Sequence, residues 1–386
     1  MTGHVQRRGK RSWRIKFDVG TDMDGKRKTH FRTFRGTKRD AEVELARLVT
    51  EAQQGVLVDP SRTTTSEFLD RWERDWAVPN ASPKTVERWS ELLRLHVRPY
   101  VGHVAIQRLE KAHLSELYAR LLREGRGETG LSARTVGHVH RVLHGALRQA
   151  VEWKIVNSNT ATGVKLPKVE DKEMKVLSTG EIQKTLNHLR RANYPDGRYL
   201  YPLIALAVTT GMRRGEILGL RWMSVDLAKG LVRVDCTLEQ TKQGLRLKPP
   251  KTKTGRRTIT LPGFVVALLR DHWKAQQETR LALGIGKSPE DSLVFAAADG
   301  QPRVPGYVTK AWMEVSRTLG LNARFHDLRH THASQLIASG MDIVTIQRRL
   351  GHSKPSTTLN VYGHLWGSGD TQAAQTMEAA FSPRTD

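Results

Sequence analysis

Between Trp13 and Val19 the apolar residues alternate strictly (Trp13, Ile15, Phe17, Val19), with Arg14, Lys16 and Asp18 between them. A period of two is that of a half-buried strand. A turn is expected at Asp22–Gly25 and a second strand over Thr29–Arg35. Thr37 with Asp40 then forms a helix-entry cap, and Ala41, Leu45, Leu48 and Ala52 recur at helical spacing until Gly55. Residues 1–60 therefore read as a short sheet against one helix.

After a short linker around Asp59–Thr64, residues 65–160 read as all helical. Val86, Trp89, Leu93 and Val97 mark one amphipathic helix, and His113 or Leu114 to Leu122 a second. The longest runs from Ser132 to Trp153, with Val136, Val139, Leu143, Leu147 and Val151 on one stripe. Its other face carries Arg134, His138, Arg141 and Arg148, which suits either phosphates or water. Lys165–Lys175 is charged and nearly free of apolar residues, as a linker is. Ser178-Thr-Gly-Glu181 then opens a helix with a capping box. The rest reads as helices, strands around Leu231–Leu238, Leu245–Leu247 and Arg257–Leu261, then helices again. The expected fold is multidomain α+β, with segments 1–60, 64–164 and 174–386 and no internal repeat.

The chain has 386 residues, 38% apolar, enough for packed cores. Its 63 Lys+Arg against 39 Asp+Glu give a net charge of +24, which points to a polyanionic partner, nucleic acid first. Residues 1–39 hold 13 Lys+Arg and 3 Asp+Glu, so the N-terminal sheet is itself a candidate groove reader. A single cysteine, Cys236, excludes an intramolecular disulfide framework and any cysteine-only metal site. No stretch approaches the ~18 apolar residues of a membrane span. The first residues lack the apolar core of a signal peptide, so a cytoplasmic protein is expected.

Four local sequences between residues 175 and 365 suit one chemistry. Thr210-Gly211-Met212-Arg213-Arg214-Gly215-Glu216 follows the apolar run Leu203–Val208 and can present a guanidinium to an anion while the carboxylate fixes the backbone or the arginine. Lys248–Arg257 (KPPKTKTGRR) places lysines on a hairpin turn. His326-Asp-Leu-Arg329-His330 opens a helix and puts His326 and Arg329 on one face, beside each other and suited to a phosphate. The spacing of His326 and His330 also matches zinc helices, but no glutamate follows His326 and Arg329 would repel a cation. Finally, Leu350-Gly351-His352 is followed ten residues later by Tyr362-Gly363-His364. A tyrosine with a reference pKa of ~10 attacks only when strongly activated.

In this order and at these intervals, T-G-M-R-x-x-E, a hairpin lysine, H-x-x-R, L-G-H and Y-G-H resemble the tyrosine recombinase family over residues 175–365. The basic first 60 residues resemble the arm-type DNA-binding domain of the phage and integrative-element integrases. The resemblance implies a helical core-binding domain over 64–164 and a mixed, mainly α catalytic domain with a small antiparallel sheet over 174–386. It implies a catalytic set of Arg213, Lys253, His326, Arg329, His352 and the nucleophile Tyr362, with Glu216 in support; Lys251 competes with Lys253 for the lysine position.

The implied reaction is metal- and ATP-independent transesterification. Tyr362 attacks phosphorus, a 3′-phosphotyrosine forms and a 5′-hydroxyl leaves. Arg213, Arg329 and His352 then stabilise charge, Lys253 acts as acid, and His326 accepts the Tyr362 proton. Implied partners are double-stranded DNA at core and arm attachment sites, a homotetramer on that DNA, a directionality factor and a DNA-bending host protein, with no cofactor, metal or membrane. The segment Trp366–Phe381 carries Ala373, Ala374, Met377, Ala380 and Phe381 at helical spacing, to pack in cis or on a neighbouring subunit. The rival readings are an Xer-like resolvase, a type IB topoisomerase-like strand transferase, and a DNA-binding regulator with an inactive site.

Overall fold

The computed structural model describes the chain apart from residues 1–2, 22–26, 54–59, 126–128, 171–173, 192–198, 251, 364–369 and 383–386. The expected turn at Asp22–Gly25, the stop at Gly55 and residues Lys251, His364 and Trp366 lie outside the described residues. The chain falls into two compact units, Met1–Asp171 and Lys172–Asp386.

The first unit opens with an antiparallel sheet in the order β1 (Gly3–Gly9), β2 (Ser12–Thr21), β3 (Arg27–Arg35). Ile15 and Phe17 of β2 are buried together with Leu48 of α1 (Lys38–Gln53), as the alternation predicts. Thr37 and Asp40 close the expected cap, each backbone N–H donating to the other's side chain at 3.1 and 3.2 Å. Strand β1 escapes the sequence reading because Val5 alone packs inward, the rest being exposed. On the opposite face Phe31, 53% exposed and paired in register with Lys16, is covered by the Arg14 guanidinium at 4.1 Å.

The helices of the first unit bury a separate core. A capping box of Thr64 and Glu67 starts α2 (Thr65–Trp72), which continues through a π-helical turn (Glu73–Ala77) into α3 (Val78–Asn80). Next come α4 (Pro83–His96), α5 (Arg98–Val101), α6 (Lys111–Glu124) and α7 (Ala133–Glu152). Val136, Val139, Leu143 and Leu147 of α7 are buried, while Arg134, His138, Arg141 and Arg148 are exposed on the other face.

In the second unit, Ser178 and Glu181 cap α8 (Thr179–Arg191), and the apolar α9 (Leu200–Thr210) runs through the core. After α10 (Arg214–Leu218) come two small antiparallel sheets. One is ordered β4 (Val225–Asp226), β5 (Leu231–Val234), β8 (Arg257–Thr260); the other is the hairpin β6 (Thr237–Thr241) and β7 (Gly244–Lys248). The expected strand Leu231–Leu238 is thus two strands in different sheets. Asp235 breaks it, its carboxylate accepting from the Ser224 hydroxyl at 2.8 Å. Helices α11 (Gly263–Ala282), α12 (Pro305–Thr318), α13 (Asp327–Ala338), α14 (Ile343–Leu350), α15 (Pro355–Tyr362) and α16 (Asp370–Phe381) complete the unit. Along α16 the residues from Ala374 onward are exposed, Met377 and Phe381 included.

Candidate active site

The site grows from the end of α9. Thr210 is buried, and Gly211 turns the chain in the left-handed conformation (φ 63°) that ends the helix. A Cβ on Gly211 would lie 2.6 Å from the His332 ring and 2.8 Å from a Leu350 methyl. Gly211→Ala is therefore expected to cost about 2 kcal/mol or more, combining left-handed strain with overpacking. A lower urea midpoint for the second unit's transition checks this.

The turn delivers Arg213 to the N-cap of α10. There Glu216 accepts the Arg213 backbone N–H at 2.9 Å and its guanidinium at 2.9 Å, so the carboxylate fixes both backbone and arginine. Glu216 is buried, and Arg257 of β8 reaches it from the sheet with an Nη2–Oε2 distance of 2.8 Å. Burial alone would raise the Glu216 pKa; the Arg257 hydrogen bond and the charges of Arg257 and Arg213 bring it below the ordinary glutamate value instead. Arg213 keeps 43% of its side chain exposed, available to an anion.

Arg329 lies on α13, one turn after His326, and is 3% exposed. It donates to the Gly211 carbonyl at 2.7 Å, to the Leu350 carbonyl at 2.8 Å and to Nε2 of His352 at 2.8 Å. One guanidinium thus ties the T-G-M-R turn, the H-x-x-R helix and the L-G-H loop together. Burial and the neighbouring Arg213 push its pKa down to about 9, still protonated at neutral pH.

Arginine has only donors, so Nε2 of His352 accepts and Nδ1 carries the proton, donated to the Thr358 hydroxyl at 2.9 Å. Burial and the charges of Arg329 and Arg213 lower the His352 pKa to about 4. A second buried histidine, His332, accepts from Arg349 at Nε2 (3.1 Å) and donates from Nδ1 to the Val208 carbonyl (3.0 Å). It braces the end of α9 from behind.

Tyr362 ends α15 and is 1% exposed, packed with Ala333, Ile337, Ile346 and Leu350. Its hydroxyl lies 2.8 Å from Nδ1 of His330. The His326 ring meets His330 edge to face, with centroids 4.8 Å apart. Burial raises the Tyr362 pKa to about 12 against the pull of Arg329. His326 is lowered to about 4 by desolvation and by His330, Arg329 and Arg213.

Arg213, Arg329 and His352 therefore belong to one connected centre, and Tyr362 packs on the Leu350 and Ala333 that flank it. Lys253 opens a short 3₁₀ turn (Lys253–Gly255), and its side chain, like Lys251, lies outside the described residues. Among the described residues no group of three or more His, Cys, Asp or Glu side chains is placed to hold a metal ion, and no helix is long and apolar enough to cross a membrane.

The pairing of Arg257 with Glu216 has no local motif in the sequence, although Ile259 two residues on is buried and a period of two puts both on the inward face of β8. His330, whose spacing from His326 suggests only a zinc partner, meets the Tyr362 hydroxyl instead.

The model of the phage integrase family matches residues 175–367, and that of the phage integrase N-terminal SAM-like domain matches residues 64–122. A XerC-like tyrosine recombinase of Caldanaerobacter subterraneus is 27% identical, with 97% of each chain covered. The ICEBs1 integrase of Bacillus subtilis is 28% identical over 78% of each chain. Among solved structures, the Tn1549 transposon integrase in complex with a circular intermediate DNA superposes with a TM-score of 0.69 at 19% identity, covering 82% of this chain and 99% of that one. A lambda integrase dimer bound to a core site gives 0.57 at 17% identity over 94% of each. At those identities the superpositions speak for the fold.

Proposed function

Since the chain belongs to the phage integrase family and is a tyrosine recombinase, we propose that it is the integrase of a mobile element such as a prophage. On this reading it binds double-stranded DNA at core and arm attachment sites, and cleaves and rejoins it through a 3′-phosphotyrosyl link. The observation that carries the reading is the buried Arg329, clamping Gly211, Leu350 and His352 into one centre beside Tyr362.

Tyr362 forms the Oη–P bond as the P–O5′ bond breaks. The charge that builds on the non-bridging oxygens falls to Arg213 and Arg329, fixed donors that need no reorganisation during the step. His352 faces the same centre, and its Nε2 becomes a donor to phosphate only on protonation or on a change of tautomer. Lys253 supplies the proton for the leaving 5′-oxygen. The phosphotyrosyl bond conserves the energy of the broken linkage, so the partner strand's 5′-hydroxyl reverses the step without ATP. Two duplexes exchanged in this way require four subunits, hence a homotetramer on DNA. A directionality factor and a DNA-bending host protein would set which pair of sites is joined.

The integrase reading draws on the N-terminal sheet. Its outer face presents His4, Gln6, Arg14 and Lys16 around the exposed Phe31, a basic ribbon of groove-reading size. Replacing Arg14 and Lys16 together by alanine is expected to weaken binding to the arm site and lower its salt slope by about 2, while core-site cleavage persists. Binding titrations at several salt concentrations check this.

The experiment for the function uses duplexes selected from a randomised pool by binding to the chain. Two plasmids carrying the selected core site should recombine, and a supercoiled plasmid without it should stay supercoiled. Rapid relaxation of the site-free plasmid would favour the topoisomerase-like alternative.

A further inference from the structure

The proton on Tyr362 needs a destination. The hydroxyl is shut away from solvent, and burial holds its pKa near 12, so neither water nor spontaneous ionisation at neutral pH supplies the phenolate. Among the described residues one side chain meets the hydroxyl, His330, with Nδ1 at 2.8 Å. His326, the acceptor implied by the family resemblance, instead packs its ring edge to face against His330 at 4.8 Å.

The groups around His330 are His326, Asp327, Arg324 and Arg329 on or just before its own helix, and Tyr362 from α15. Burial lowers its basicity, Asp327 opposes that, and Arg324 and Arg329 add to it. The imidazole is therefore neutral near pH 7. With its proton on Nε2 it offers a free lone pair at Nδ1.

We propose that His330 is the general base of strand cleavage, taking the Tyr362 proton directly at Nδ1, with His326 a positioning residue that holds the His330 ring. This rests on the reading of Tyr362 as nucleophile. As Oη bonds to phosphorus its proton passes to His330, giving an imidazolium. The P–O5′ bond breaks and the leaving oxygen is protonated by a separate donor, the lysine expected at position 253. Ligation runs the same transfers backwards, returning the proton to Tyr362.

The test follows single-turnover adduct formation by the full chain on a nicked duplex carrying the selected core site, from pH 5 to 9. Wild type is compared with His330→Ala and His330→Gln. Glutamine keeps a hydrogen bond to the tyrosine and guards against misfolding, yet accepts no proton. The wild-type rate should fall as acid protonates His330. Both variants should be slower by about 100-fold or more and should lose that acid limb. A substrate with sulfur in the scissile 5′-bridging position, whose thiolate leaves without a proton, should not rescue them.

Wild-type-like cleavage by the glutamine variant would overturn the proposal by making the contact structural. Faster cleavage by either variant would overturn it by making His330 a restraint on a retracted tyrosine. Rescue by sulfur would move His330 to the leaving-group side and overturn it too. If wild type itself forms no adduct, the recombinase reading falls and this proposal with it.

Discussion

Tyr362→Phe is expected to lower strand cleavage and covalent adduct formation below detection while leaving DNA binding intact. The change removes one oxygen. The ring's packing against Ala333, Ile337, Ile346 and Leu350 survives, and the lost hydrogen bond to His330 costs on the order of 1 kcal/mol. Folding and binding therefore provide an internal control for the chemistry. Gel-resolved adduct formation, with binding measured on the same duplex, checks the outcome. Residual adduct at more than trace level would mean that another side chain attacks phosphorus.

Arg329→Ala is expected to lose both rate and stability, a combination that separates it from Tyr362→Phe. In its proposed role as a fixed donor to the developing charge, one such group is typically worth ~3–4 kcal/mol, a rate loss of roughly 100- to 1,000-fold. The same side chain satisfies the buried Gly211 and Leu350 carbonyls, and orphaned buried polar groups cost about 1–3 kcal/mol each. Arg329→Lys keeps the charge but cannot reproduce the planar fork that spans two carbonyls and His352. Lysine should therefore recover part of the stability and little of the rate. Urea unfolding beside single-turnover cleavage measures both, and a lysine variant with near-normal rate would mean that charge alone matters at this position.

How much of this was legible in the sequence depended on whether the signal was local. The α7 stripe reads correctly because one face of a regular helix repeats every 3.6 residues, and β2 because Ile15 and Phe17 alternate with charges. Strand β1 stays hidden since an edge strand on which only Val5 is half-buried has no alternation to show. Val234 and Leu238 read as one strand because nothing local reveals that their partners, Arg257 and Leu247, belong to different sheets.

The site divides in the same way. Arg213 and Glu216 are three residues apart and their pairing could be argued from a helix start. Arg257 joins the same carboxylate from a different element, and only the fold brings it there. His330 was visible four residues after His326, but its true partner is the tyrosine 32 positions further on. The structure also fixes what residue types could not. Arg329 demands an acceptor, so the tautomer of His352 follows from the geometry.

In the proposed reaction Tyr362 becomes covalently joined to a 3′-phosphate without metal. Wild-type protein should therefore be trapped on the nicked core-site duplex in excess chelator, digested, and its nucleotide-bearing peptide sequenced by mass spectrometry. The proposed reaction predicts one modified residue, Tyr362, carrying a 3′-linked nucleotide. An adduct on any other residue, or none while the duplex remains bound, would contradict it.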